Sequence, residues 1–235
     1  MIPAINRFLV HDLQFETLTV PGVLIHQCSF DKEAYHDEFF NVLGIDYPQK
    51  LNRAVPKRKA EFLAGRHCAK TLLAELGIHD FTIVPDKNRC PLWPPGIKGS
   101  ISHSNTNALV MLTTRTDVLG VGIDIESVIK TKTMNDVKKS IIFDHEYDLL
   151  EQGDVSAETI FSLLFSIKES FFKAGYPSTG RYFDFDAVRI TELDFATHTF
   201  KLTLCEELNP KLTKGMRFSG QFGFVGEQVV SLLVL

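Results

Sequence analysis

Apolar residues recur at helical spacing in three segments of the chain. Over residues 57–76 they return every three to four positions, which is the period of an amphipathic helix. Gly77 follows this segment and suits the C-cap, because glycine tolerates the left-handed backbone that often ends a helix. Similar patterns predict helices over residues 135–152 and 156–175, separated by the turn-forming pair Gly153-Asp154.

Short runs of apolar and β-branched residues predict the strands. These runs cover residues 23–26, 81–84, 108–113, 118–125, 187–190, 199–204 and 228–234. Residues 115–117 resemble a turn, and residues 85–99 read as a proline-rich loop. A helix followed by strands occurs once in residues 1–126 and again in residues 127–235, which predicts an α+β fold with two halves of similar size.

Acidic residues interrupt the predicted strand at 118–125. Asp124 and Glu126 are two positions apart, so on a strand both side chains point to the same face. Glu169 and Lys173 are four positions apart in the last predicted helix and share a helix face. If these residues converge in a cleft between the halves, they suit a divalent cation and a phosphate-bearing substrate. A solvated strand end and an ordinary helix ion pair are the alternative interpretation.

The predicted helix at 57–76 is basic near its start. Arg58 and Arg66 are eight positions apart, slightly more than two turns, and lie roughly on one face. Their guanidinium groups suit a two-pronged grip on phosphate. Ser102 and His103 lie in a run of small and hydroxyl residues whose backbone could approach an anion closely. A solvated basic helix face and a simple turn are the alternatives.

The composition is typical of a folded globular protein with no broad attraction to nucleic acid. At 235 residues with 44% hydrophobic and 23% charged residues, the chain predicts a folded globular protein. Its net charge of −4 provides no broad field to attract nucleic acid. The 4 cysteines lack zinc-like spacing, which indicates free thiols in a reducing compartment. We find no transmembrane segment and no signal peptide in the sequence, so we expect a cytoplasmic protein.

Taken in order, these motifs resemble those of the 4′-phosphopantetheinyl transferases. They are the helix from Arg58 to Arg66, Trp93-Pro94-Pro95-Gly96 leading to Ser102-His103-Ser104, the strand from Gly122 to Glu126, and residues 165–173. The tryptophan-proline segment makes the likeness closer to the surfactin and enterobactin synthetase type, particularly the enterobactin one. The resemblance implies two similar α/β halves in a pseudo-twofold arrangement, with the active site in the cleft between them.

The resemblance also implies an activity. It is the magnesium-dependent transfer of 4′-phosphopantetheine from coenzyme A to a serine of an apo carrier protein, which releases adenosine 3′,5′-bisphosphate. The partners would be coenzyme A and peptidyl, aryl or acyl carrier domains, and we expect a monomer. Siderophore synthesis by a nonribosomal peptide pathway is the expected process. Polyketide or polyunsaturated fatty acid synthesis, a non-catalytic coenzyme A-binding module and a magnesium-dependent phosphate ester hydrolase are the alternatives.

The resemblance assigns roles at the metal and diphosphate. Asp124, Glu126 and Glu169 would bind Mg2+ directly or through water, although Ile125 between the two acids leaves the full ligand set open. Lys173, with Lys168 near it, would neutralise the coenzyme A diphosphate. Glu169 is the candidate general base for the carrier serine, acting directly or through water.

The resemblance assigns further roles at the nucleotide. Arg58 and Arg66 would hold the 3′-phosphate, and Ser102 and His103 would contact the same phosphates, with His103 also a candidate catalytic residue. Arg89 stands where related proteins have Gly-Lys-Pro near the adenine.

Carrier domains are commonly acidic around their serine, so a basic or apolar surface should dock them. Candidates are the predicted surface residues Lys130, Lys132, Lys138, Lys139 and Phe143. A solvated basic loop is the alternative.

Overall fold

Two compact units make up the chain in the computed structural model, which describes residues 5–10, 18–152 and 155–235. The units are Met1–Arg115 and Thr116–Leu235. Each contains an antiparallel sheet with a long helix packed against it, so the predicted α+β class is confirmed. The predicted turn at Gly153-Asp154 lies outside the described residues.

The N-terminal unit has a sheet with strand order β1-β2-β4-β3. Its elements are α1 (Ile5–Phe8), β1 (Leu9–Val10), β2 (Leu24–Phe30), α2 (Phe39–Val42), α3 (Pro56–Glu75), β3 (Lys98–His103) and β4 (Asn107–Thr113). Short 3-10 turns occur at Lys32–Ala34 and Gln49–Leu51. The helix α3 packs on β2 and β4, and its buried face contributes to this unit's core.

The helix α3 confirms the prediction for residues 57–76. Pro56 stands in its first turn, where a missing N–H costs nothing. Gly77 follows the C-cap residue Leu76 with a φ of 77°, the left-handed conformation expected at a helix end.

The C-terminal unit has a sheet with strand order β5-β9-β8-β7-β6. Its elements are β5 (Val121–Ser127), α4 (Thr131–Ile141), α5 (Glu146–Leu149), α6 (Ala157–Thr179), β6 (Val188–Asp194), β7 (Thr199–Leu204), β8 (Arg217–Val225) and β9 (Gln228–Val234). A 3-10 turn spans Phe185–Ala187. The helix α6 is the long one, and it begins after Ser156, whose hydroxyl accepts from the Thr159 N–H. It packs against β5 and β9.

The division between the units differs from the predicted boundary at residue 126. Strand β5 pairs with β9 along its whole length, from Val121 opposite Val234 to Ser127 opposite Gln228. Asp124 and Glu126 therefore belong to the C-terminal unit and not to the first half. Strand pairing over such a separation in sequence leaves no local pattern, which is why the sequence analysis misplaced the boundary.

Two secondary-structure predictions are wrong, and two strands were not predicted. Residues 81–84 belong to no strand: Phe81 and Val84 are exposed, and Ile83 packs into the core of the N-terminal unit. The helix predicted over 135–152 is broken between α4 and α5, where Asp144 takes a φ of 47°. Strands β3 and β8 were not predicted, because glycine and polar residues interrupt their apolar pattern.

The remaining predictions of elements are confirmed. Strand β2 includes most of residues 23–26, and β7 and β9 match their predicted bounds. In the part of the chain that the structure describes, no helix has the length and apolar character needed to span a membrane.

Candidate functional site

The carboxylate pair of β5 faces helix α6, because two glycines on the same face let the helix come close. A Cβ atom on Gly120 would lie 2.1 Å from the Ala174 carbonyl oxygen, and one on Gly122 would lie 1.9 Å from that of Ser170. Residues two apart on a strand share a face, so Asp124 and Glu126 continue the row that these glycines begin. The strand thus directs both carboxylates toward α6.

Helix α6 meets this row with a cation. Lys173 Nζ donates to Asp124 Oδ1 at 2.5 Å. The Asp124 side chain is 2% exposed and the Lys173 side chain is 25% exposed, so the pair lies at the edge of the buried region. A short ion pair in this partly desolvated position is stronger than one in open water. The structure therefore brings together Asp124 and Lys173, as the sequence analysis expected of converging groups.

Glu126 and Glu169 belong to the same charged cluster. Burial, followed by the charge of Asp124, raises the pKa of Glu126 to about 7, against the opposing effect of Lys173. Burial also raises the pKa of Glu169, with Lys173 lowering it and Asp124 raising it further. Carboxylates that oppose one another's ionisation in this way favour the binding of additional positive charge.

The donor atoms of this cluster can be compared with those that Mg2+ prefers. Among residues 5–10, 18–152 and 155–235, no group of three or more His, Cys, Asp and Glu side chains is arranged to hold a metal ion. The donors Asp124, Glu126 and Glu169 are nonetheless all carboxylate oxygens, the type that Mg2+ prefers, and they are coupled electrostatically. These oxygen ligands suit Mg2+. For the ion to bind Asp124, the ion pair between Asp124 and Lys173 would have to break.

Lys168 does not fulfil its predicted role at the diphosphate. Its side chain is 0% exposed, and Nζ donates to Glu146 Oε2 at 2.7 Å and to the Phe185 carbonyl at 3.1 Å. Burial lowers the pKa of Lys168, although the neighbouring Glu146 carboxylate opposes this. An ammonium enclosed in this way cannot reach a ligand without breaking a buried ion pair. Helical spacing alone could not show that Lys168 turns inward while Lys173 remains at the surface.

In the N-terminal unit, the first residues of α3 meet the end of β3. Arg58 Nη1 lies 2.6 Å from His103 Nε2 and 3.4 Å from Glu61 Oε2. His103 Nδ1 faces the same Glu61 oxygen at 3.6 Å. Lys57 Nζ also approaches Glu61, at 3.8 Å. The nearly buried carboxylate of Glu61 thus lies close to three basic side chains. No pattern in the sequence indicated Glu61.

These contacts determine the protonation of His103. A guanidinium carries only donors, so the contact with Arg58 makes Nε2 of His103 the acceptor. The ring proton of the neutral imidazole then lies on Nδ1, the nitrogen that faces Glu61. Glu61 thus lies beside the Nδ1 side of His103, and Arg58 remains 50% exposed at the side chain, where it can turn to an anion.

Ser102 and His103 are separated by the pleat of β3. Adjacent strand residues point to opposite faces, so only His103 shares the face on which α3 packs. Ser102 is buried at 4% exposure on the other face. The two side chains point to opposite faces of β3, so they do not point toward one phosphate together as predicted.

Arg66 lies further along α3 beside a cavity of about 520 Å3. Its Nε donates to the Ile83 carbonyl at 3.2 Å, and its guanidinium carbon lies 4.6 Å from the centre of the Phe62 ring. Burial, followed by the charge of Arg58, lowers the pKa of Arg66 to about 10. The cavity walls combine apolar residues, such as Phe62, Phe81 and Ile83, with the charged residues Asp46, Lys70 and Asp80, so the space is mixed in character.

Lys50 joins this group of cations, although no pattern in the sequence indicated it. Burial lowers the pKa of Lys50, and the charges of Arg66, Arg58 and Arg89 lower it further. Arg89 itself is exposed and has a φ of 71°, in the tight turn before Cys90. Lys50 Nζ lies 5.8 Å and the Arg66 guanidinium carbon 4.6 Å from the centre of the same Phe62 ring, so these two cations are placed where they could attract one anion.

The comparisons with known proteins bear on both units. A model of the 4′-phosphopantetheinyl transferase N-terminal domain matches residues 47–113, and one of the 4′-phosphopantetheinyl transferase superfamily matches residues 120–216. Enterobactin synthase component D of Salmonella typhi is 35% identical over 181 residues, which cover 77% of this chain and 74% of that protein. The chain belongs to the 4′-phosphopantetheinyl transferase superfamily.

Other relatives agree with this family. Enterobactin synthase component D of Escherichia coli K12 is 33% identical over 160 residues, 67% of this chain and 73% of that protein. A 4′-phosphopantetheinyl transferase of Streptomyces mobaraensis is 30% identical over 190 residues, 77% of this chain and 75% of that protein. The two family models meet between residues 113 and 120, which agrees with the division of the transferase fold after Arg115.

Proposed function

We propose that this chain transfers the 4′-phosphopantetheine group of coenzyme A to a serine of an apo carrier protein in a nonribosomal peptide siderophore pathway. The observation that carries the proposal is the charged cluster of β5 and α6, in which Lys173 pairs with Asp124 beside Glu126 and Glu169. Family membership supports the reaction. The relatives named enterobactin synthase support the pathway.

The reaction forms one bond and breaks another. The serine oxygen of the carrier attacks the phosphorus that bears the pantetheine, and the bond from that phosphorus to the bridging oxygen of the diphosphate breaks. Adenosine 3′,5′-bisphosphate leaves with the bridging oxygen and its electron pair. Glu169, whose raised pKa favours proton uptake, accepts the serine proton. Lys173 places its ammonium where the leaving phosphate gains charge.

The magnesium ion would be held by Asp124, Glu126 and Glu169. When bound, it would supply positive charge to the diphosphate oxygens. Lys173 would then release Asp124 and turn toward the phosphates, which its 25% exposed side chain permits.

The cations of the N-terminal unit would bind the nucleotide end of coenzyme A. We assign the 3′-phosphate to Arg58, Arg66 and Lys50. Their positive charges repel one another, and the charge of Arg89 acts on Lys50 as well, so a bound phosphate would relieve this repulsion. His103 would hold Arg58 ready through their 2.6 Å contact. The cavity beside Arg66 has the aromatic side chains Phe62 and Phe81 among its walls, which suit a flat adenine ring, and polar residues that could bind its nitrogen atoms.

Helix α4 supplies the surface that we propose for the carrier. Lys130, Lys132 and Lys139 are exposed, whereas Lys138 is half-buried and donates to Asn135. An acidic carrier would gain favourable steering from these charges. The 4 free cysteines fit the reducing cytoplasm, where such carriers are modified.

The deciding experiment incubates the protein with coenzyme A, Mg2+ and apo carrier domains from siderophore, polyketide and fatty acid synthases. We expect the siderophore carrier to gain the mass of one phosphopantetheine group, and chelation of Mg2+ to prevent the gain. A gain confined to the polyketide or fatty acid carriers would contradict the pathway. No gain on any carrier, together with binding of coenzyme A, would contradict the transferase and indicate a binding module.

A further inference from the structure

A buried ion pair lies directly behind the charged cluster of α6. The side chains of Lys168 and Glu146 are both 0% exposed, and their charged atoms are 2.7 Å apart. Lys168 is also the neighbour of Glu169, and both residues line a small cavity of about 80 Å3. The pair is therefore next to the candidate base, although neither of its charges is open to a ligand.

Every other contact of the pair reaches a different element. Glu146 accepts from the Phe143 N–H at 2.9 Å, before α5, and from the Ile190 N–H of β6 at 2.8 Å. Lys168 donates to the Phe185 carbonyl of the 3-10 turn and lies 5.0 Å from the centre of the Phe143 ring. The pair thus joins α6 to the segment before α5, to the 3-10 turn and to β6.

The pair holds Lys168 on the inward face of α6. Successive residues of a helix point about 100° apart, so holding Lys168 inward sets the direction of Glu169. The same rotation places Lys173, which shares a face with Glu169, on Asp124. A buried ion pair adds little stability over apolar residues of equal volume, and in some proteins its directed hydrogen bonds specify one geometry.

We propose that Lys168 and Glu146 act together as positioning residues, which hold α6 so that Glu169 and Lys173 meet the transferred phosphate group. This inference rests on the proposed function, and it replaces the direct role for Lys168 at the diphosphate. It predicts that substitutions in the pair lower kcat and leave the affinity for coenzyme A unchanged.

The test compares Lys168→Met, Glu146→Gln and the double variant in the full-length protein. Transfer to the apo carrier gives kcat and KM, and titration with coenzyme A gives its Kd. We expect each single variant to lower kcat about 10–100-fold, the range seen when residues that orient a site are removed. We expect the Kd of coenzyme A to stay within about twofold of the wild-type value, and the double variant to lose no more than either single variant.

A direct role gives a different pattern. If Lys168 contacts the diphosphate, Lys168→Met weakens coenzyme A binding more than about tenfold while Glu146→Gln does not, and the proposal is overturned. It is also overturned if all three variants keep the wild-type kcat. Lys173→Met serves as the comparison for a ligand-facing lysine, because its ammonium is at the surface of the same helix.

Controls separate positioning from general loss of structure. The exposed pair Lys201 and Glu192, also within the C-terminal unit, has the same charges at 2.8 Å, and Lys201→Met should leave kcat unchanged. If a single variant does not fold, the double variant still tests the proposal, because it leaves no unpaired buried charge.

A second measurement does not depend on catalysis. Amide hydrogen exchange over residues 165–175 should be faster in the double variant than in the wild type, because α6 loses its directed contacts. Unchanged exchange would contradict the proposal. An inactive wild-type protein would contradict the proposed function, and the exchange measurement would still decide whether the pair holds the helix.

Discussion

At the residue scale, the surroundings of a side chain decide its role more than its type does. Lys168 and Lys173 lie five residues apart on α6, yet one is enclosed with Glu146 and the other pairs with Asp124 at the edge of the buried region. Arg58 and Arg66 differ in the same manner, because Arg58 is half exposed and Arg66 lies against Phe62. Residues of one type thus differ in how far they are exposed and in which groups they contact.

The candidate base is tested by Glu169→Gln. We expect kcat to fall about 10²- to 10⁴-fold, because the amide cannot accept the serine proton. The fold should be retained, since burial already disfavours the charge of Glu169. The measurement is steady-state transfer with circular dichroism of the same sample, and Glu206→Gln, at an exposed acid of the same unit, is the matched control. Wild-type turnover in Glu169→Gln would rule out this assignment.

Cys90 provides a test of pH dependence near the Arg89 turn. Burial, followed by the charge of Asp86, raises the pKa of its thiol to about 11. A raised pKa means less thiolate at any pH below it, so alkylation at pH 8 should be about 100-fold slower than for an ordinary thiol and should rise steeply toward pH 11. Iodoacetamide labelling followed by peptide mass spectrometry measures this. Labelling that levels off near pH 9 would contradict the shift.

At the element scale, the charged cluster depends on how closely α6 packs on β5. Gly122 of β5 and Gly120 just before this strand permit the approach, and the hydroxyl of Ser170 donates to the Ser231 carbonyl of β9 at 3.0 Å. Elements that touch backbone to backbone cannot accept even one extra methyl group between them. The geometry of Asp124 and Lys173 is thus a property of the strand and helix together.

Gly122→Ala tests this packing. The added Cβ would lie 1.9 Å from a backbone oxygen, so α6 must shift, and we expect a loss of about 3 kcal/mol in the free energy of unfolding together with lower kcat. Gly226→Ala is the comparison, because it adds only the strain of a φ of 54° with open space around it and should cost about 1 kcal/mol. Urea unfolding measures both. Equal losses in the two variants would contradict the packing argument.

At the scale of the whole molecule, charge is distributed unevenly. The net charge is −4, yet basic residues collect on α4 and in the cation group around Arg66. Local charge of this kind acts on nearby anions, while salt screens it from distant ones. The chain therefore offers basic surfaces to an acidic carrier and to phosphates without a general attraction to polyanions.

Charge reversal on α4 tests carrier docking. We expect Lys132→Glu combined with Lys139→Glu to raise the KM for the carrier about tenfold and to leave the KM for coenzyme A unchanged, because these exposed side chains face solvent. The effect should shrink at high salt. Lys201→Glu, at an exposed lysine of β7, is the matched control. An unchanged KM for the carrier in the α4 double variant would rule out this surface.

Local patterns in the sequence determined much of this protein. Apolar periodicity predicted α3, and runs of apolar and β-branched residues predicted β7 and β9, because each pattern depends only on residues within one element. The order of motifs indicated the transferase family, which the comparisons confirm. Asp124 and Lys173 were expected to converge, and they do.

Only the tertiary structure decided which groups meet. It paired β5 with β9, turned Lys168 onto Glu146 and brought Lys50 toward Arg66. It also placed Ser102 and His103 on opposite faces of an unpredicted strand. These outcomes depend on contacts between residues far apart in the chain and on the burial that those contacts create. Periodicity within one element carries no information about either, which is why the sequence identified the family but not the partners of its charges.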